Sequence, residues 1–162
     1  MRSIKIRALN IRGLAGFDVR EFERLEELSM SSSIICRLYK AWKHDDHTLS
    51  TLVGPRLRSF ELDLTLEDQQ HCESLGDFGE MEENWLRALA HFAVRQEYPL
   101  REIQIHVAPY GYETSDFDGR YPWDRMDDLD RELQLHGIRV HYSPPTVSRA
   151  EFEEILKDYF AK

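Results

Sequence analysis

Cysteine is scarce: Cys36 and Cys72 are the only two in 162 residues, and they do not form a C-x-x-C pair. That count argues against a disulfide-dense secreted scaffold and a paired-cysteine zinc site. The two thiols read as reduced and buried, as in a cytosolic or nuclear protein, with a Cys36–Cys72 disulfide as the lesser alternative. No apolar run approaches the roughly 18 residues that a membrane-spanning helix needs. The opening Met1-Arg-Ser-Ile-Lys-Ile-Arg7 carries charges where a secretory signal is apolar, so no signal peptide is expected. Positive charge is short as well. Lysine and arginine number 21 against 30 acidic residues, giving a net charge of -9. That balance disfavours a general binder of nucleic acid or anionic membranes. A glycine-rich phosphate loop and a nucleophile elbow are also missing, and no cofactor is expected.

Hydrophobic residues make up 41% and aromatics 11%, enough for a folded chain with a real core. The length fits a single domain over 1–162, either whole or as a piece of a longer protein. Its organising stretch is Leu57-Arg-Ser-Phe-Glu-Leu-Asp-Leu64, with apolar residues at the first, fourth, sixth and eighth places. Such alternation marks a strand with one apolar and one polar face, entered by a leucine from a turn. The pattern returns as Leu100-x-x-Ile103-x-Ile105-x-Val107 and Leu135-x-x-Ile138-x-Val140-x-Tyr142. Upstream it reads Leu25-x-x-Leu28-x-Met30, with a weaker copy in Met1-x-x-Ile4-x-Ile6. The copies begin at 1, 25, 57, 100 and 135, at uneven periods of 24, 32, 43 and 35 residues.

Helical or irregular segments fill the intervals. Asp18 caps a short irregular helix through Glu23, and Ile34, Ile35, Leu38, Tyr39 and Trp42 form an amphipathic stripe. Lys43-His-Asp-Asp-His47 reads as a solvated loop. The strongest helix runs from about Met81 to Gln96. It turns Trp85, Leu86, Leu89, Phe92 and Ala93 inward and Glu82, Glu83, Arg87 and Arg95 to solvent. After a Gly/Tyr/Asp-rich loop at 110–121, Trp123, Met126, Leu129 and Leu133 mark the inner face of another helix. Ser148-Arg-Ala-Glu151 is a capping box that opens a terminal helix over 148–161, with Phe152, Ile155, Leu156, Tyr159 and Phe160 on its apolar face.

Repeated strand–helix units imply parallel strands joined by crossovers of one hand. With a leading L-x-x-h-x-h in each strand, the unit resembles a leucine-rich repeat, whose copies bury their apolar faces only against neighbours. The expected fold is α/β: a short, irregular leucine-rich-repeat-like solenoid of about five parallel strands with a C-terminal capping helix. The alternative is a doubly wound α/β domain. The asparagine or cysteine of a regular repeat is replaced by Leu9, Ser33, Thr65, Ala108 and Ser143, which is why the array is expected to be irregular.

Four stretches carry a family resemblance: Phe60 to Ser74, the Trp85-Leu-Arg-Ala-Leu-Ala90 helix, Pro99 to Ile105, and Tyr121-Pro-Trp-Asp-Arg-Met126. Together they resemble the C-terminal leucine-rich-repeat-like region of fungal F-box proteins, over roughly residues 57 to 147. In that family an F-box docks a Skp1-type adaptor, and the repeats recruit a substrate for ubiquitin ligation. The chain opens in a strand without a Leu-Pro-x-Glu-like helical segment, so adaptor binding is not expected. What the resemblance implies is the substrate-recognition half.

In each strand the fifth and seventh residues face away from the core. They form candidate columns of Lys5, Ser29, Glu61, Gln104 and Arg139, and of Arg7, Ser31, Asp63, His106 and His141. The expected partner-binding residues are Glu61, Asp63, Gln104, His106, Arg139 and His141, helped by Tyr110 and Tyr112 of the aromatic loop. The expectation is a non-enzymatic binder of a protein partner. The alternative is a metal-assisted hydrolase using Asp63, His106 and His141, since a carboxylate and two imidazoles suit zinc or iron. His44-Asp-Asp-His47 and the His71–Cys72 pair read as surface features rather than sites.

Overall fold

A computed structural model describes residues 2–6, 17–32, 34–35, 42–65, 78–107 and 119–161. Five parallel strands form one sheet: β1 (Ser3–Ile6), β2 (Glu27–Ser31), β3 (Ser59–Asp63), β4 (Glu102–His106) and β5 (Arg139–Tyr142). The described helices are α1 (Asp46–Ser50), α2 (Glu80–Arg95), α3 (Pro122–Gln134) and α4 (Arg149–Phe160), with a 3-10 turn at Val19–Glu21. Spatial order follows chain order from β1 to β5. A doubly wound sheet needs a point where that order reverses, and this sheet has none.

The two faces of the sheet differ as the alternating pattern requires. Leu28, Met30, Phe60, Leu62, Ile103, Ile105 and Val140 are buried on one face. Lys5, Glu27, Glu102, Arg139 and His141 are exposed on the other. The leading leucines Leu25, Leu57 and Leu100 are buried too, closing the lower end of the core. Trp85 of α2 lies over β3, its ring 5.7 Å from Phe60 and 5.6 Å from Trp42. At the other end Tyr121 packs edge-on against Phe152 of α4 at 5.2 Å and donates its hydroxyl to Val147 O at 2.7 Å. Tyr121 and Trp123 are both buried in the core. Phe152 anchors α4 and Leu156 packs against the core beside it, Ile155 is exposed, and the side chains of Tyr159 and Phe160 lie outside the described ones.

Local chemistry explains the helix starts. Ser148 and Glu151 form the expected capping box, with Ser148 N donating to Glu151 Oε2 at 2.8 Å. Pro122 occupies the first turn of α3, where its missing N–H costs nothing. Asp45 accepts from Thr48 N at 2.9 Å, so His44-Asp-Asp-His47 is a cap and the first turn of α1 rather than a loop. The outer edge of β5 is blunted: Val140 N donates to Asp130 Oδ1 at 2.8 Å, which occupies a donor that an added strand would use.

Two expectations need correction. Leu135 does not lead the fifth strand: it is the C-cap of α3 and is 84% exposed. Val140 stands level with Ile103 and Tyr142 with Ile105, which places Gly137, not Leu135, beside Leu100. A two-residue slip keeps every side chain on its own face, so the apolar pattern cannot register it. Glu82 and Glu83 are not surface charges either, being only 2% and 5% exposed. Glu82 caps its own helix through Gly79 N at 3.0 Å. Glu83 receives Arg125 Nη1 at 2.6 Å and Arg87 Nη2 at 2.7 Å, tying α2 to α3. Arg7, Cys36, Leu38, Tyr39, His71 and Cys72 lie outside the described residues.

Candidate partner-binding face

The polar face of the sheet is built row by row from strand register. Lys5, Ser29, Glu61, Gln104 and His141 form one continuous row across all five strands. Below it runs Ser3, Glu27, Ser59, Glu102 and Arg139, and above it Ser31, Asp63 and His106. Asp63 and His106 are adjacent as expected, but His141 belongs beside Gln104, one row lower. The Asp63–His106–His141 column therefore does not form. No group of three His, Cys, Asp or Glu residues among the described residues is arranged to hold a metal ion.

Glu61 sits at the middle of the face, on the central strand. Its Oε1 accepts from Lys5 Nζ at 2.8 Å and from Ser29 Oγ at 2.7 Å. Its Oε2 lies 3.8 Å from His106 Nε2, a charge pair when that imidazole is protonated. Burial raises the Glu61 carboxyl pKa, but the hydrogen bonds from Lys5 and Ser29 outweigh it, and the group titrates below the usual glutamate range. Asp63 has a different role. It is 6% exposed, and its Oδ1 accepts from Thr65 N at 3.0 Å and Thr65 Oγ1 at 2.6 Å, closing the end of β3. Arg139 leans outward, its Nε 3.6 Å from Asp130.

Around Glu61 the face sinks into a depression of about 390 Å³, floored by Ser3, Ser29 and Ser59 and walled by Glu27 and Glu102. Register makes this depression: small side chains on three neighbouring strands stand between larger ones. Lys5 and Ser29 fall at the outward positions of the repeat, yet nothing in their own residue types singles them out, and Ser59 is a third residue that the count passes over. Glu27 and Glu102 sit where the strands begin, at positions an outward-facing count from the leading leucine leaves aside. Tyr110 and Tyr112 lie outside the described residues.

No family model, curated protein or solved structure matches the chain. Among the described residues no helix is long and apolar enough to cross a membrane. The face offers paired charges, hydroxyls and an amide in fixed rows.

The Lys5–Glu61 pair gives a direct test. The Glu61 carboxyl should titrate below an ordinary glutamate in a carbon-detected NMR series, and Lys5→Met should move it upward. A folded-state pKa that lies low contributes stability above the unfolded pKa, and that contribution is lost as pH falls through the folded value. An unmoved Glu61 titration in the variant would show that Lys5 does not hold it.

Proposed function

We propose that this chain is a non-enzymatic protein-interaction module, a short irregular solenoid of leucine-rich-repeat type that binds a partner on its polar sheet face. One observation supports the reading above the rest. Five parallel strands in chain order bury one face and leave Lys5, Glu27, Glu102 and His141 exposed in level rows on the other. An extended, rigid polar surface with a central depression suits contact with another protein more than enclosure of a small substrate. The resemblance to the repeat region of fungal F-box proteins agrees, and extends the reading to recruitment of a substrate for ubiquitin ligation. Contact residues would be Glu61, Gln104, His106, Arg139 and His141, joined by Lys5, Glu27 and Glu102. Asp63 contributes by shaping the end of β3.

Affinity capture followed by mass spectrometry tests this. A protein retained by the wild type should fall at least about tenfold with Glu102→Arg/Gln104→Arg, which reverses one charge and adds another on the face. Arg131→Glu, on the exposed side of α3, should leave it unchanged. Equal retention by all three proteins would remove the polar face from the account.

A further inference from the structure

A second charged surface lies where the strands begin. Backbone hydrogen bonds place Arg2, Glu26, Arg58 and Arg101 in one row: Glu26 N to Arg2 O at 2.8 Å, Arg58 N to Glu26 O at 2.7 Å and Arg101 N to Arg58 O at 2.9 Å. Neighbouring members are therefore spaced like strands, ~4.8 Å apart along the backbone. The three arginines are exposed, and so is Arg56 just before the row. None of Arg2, Arg56, Arg58 and Arg101 enters an ion pair among the described residues, whereas Arg20 is held by Asp18 and Arg139 by Asp130. Glu23, Glu26 and Glu97 share this end of the molecule and offset part of the charge.

Beside the row opens a cavity of about 440 Å³. Val19, Phe22, Leu25, Leu57 and Tyr98 supply its apolar lining, and Arg20, Glu23 and Arg56 its charged lining. Leu25 and Leu57 directly precede Glu26 and Arg58, so the cavity and the arginine row are contiguous.

We infer that the strand-start edge is a second docking site, separate from the polar sheet face, for an acidic peptide segment of a partner protein. A large apolar side chain of that segment enters the cavity, and carboxylates before and after it meet Arg56, Arg58 and Arg101. Charge complementarity selects this occupant. Guanidiniums without a carboxylate partner inside a chain of net charge -9 favour a negatively charged ligand. Glu26 between Arg2 and Arg58 would repel an unbroken phosphate backbone, while an extended peptide places its carboxylates discretely, ~3.3 Å of chain per residue. The apolar lining adds what a bare anion would not use.

Fluorescence anisotropy with the full chain tests the inference. The probe is a short labelled peptide with a central tryptophan flanked by glutamates. It should bind, and binding should weaken as salt is raised. Arg58→Glu/Arg101→Glu, two exposed sites whose exchange should leave the thermal melt in place, should weaken it about tenfold or more. Exchanging the peptide's tryptophan for serine should weaken it as well. No binding, or equal affinity for the double variant, overturns the proposal. So does an oligothymidylate that binds as tightly as the peptide, since that marks a general polyanion surface.

Discussion

Phe60→Ala is expected to destabilise the protein by about 3–5 kcal/mol, the range for emptying a buried aromatic site. Phe60 is on the central strand, 0% exposed, with Leu28 and Ile103 level with it on the flanking strands. Trp85 of α2 lies against its ring, so the side chain joins the sheet to the longest helix. Neither neighbour can move in to refill the space, because each strand is hydrogen-bonded on both sides. Urea unfolding should show a lower midpoint with an unchanged slope. Phe60→Leu, which keeps most of the volume, should cost much less. A loss below about 1 kcal/mol for the alanine variant would mean that the site collapses or that β3 is not central.

Glu83→Ala is expected to cost about 3–5 kcal/mol, for a different reason. The carboxylate is 5% exposed and receives guanidinium groups from Arg125 at 2.6 Å and Arg87 at 2.7 Å, with Arg120 at 3.9 Å. Removing it takes from Arg125, itself 3% exposed, the carboxylate 2.6 Å from its Nη1. Replacing both charges, as in Glu83→Met/Arg125→Leu, should restore much of the loss, because a well-packed apolar pair avoids the desolvation cost altogether. A thermal or urea comparison of single and double variants decides it. If the double variant is as unstable as the single, the loss is one of packing and not of charge.

These two residues also show how far the sequence could be read. Phe60 was legible: its place in L-x-x-h-x-h and the alternation around it fixed the strand, the inward face and the parallel order. The same alternation located Glu61, Gln104 and His106 on the outward face. It could not see the two-residue slip at β5, because a shift by two leaves each side chain on its face, and so it joined His141 to His106 instead of Gln104. Nor could helical periodicity see Glu83. Its burial depends on Arg125 arriving from the next helix, and pairing of that kind has no signature within either helix alone. The depression around Ser59 is likewise a product of register between strands far apart in the chain.

The central claim is that the polar face meets the partner, and carboxyl labelling with mass spectrometry tests it most directly. The chain would be labelled alone and in complex with its captured partner. Glu27, Glu61 and Glu102 on the face should lose reactivity in the complex, while the exposed Glu153 and Glu154 of α4 keep theirs. Protection of Glu153 and Glu154, with Glu27 and Glu102 unchanged, would contradict the account and move the interface to α4.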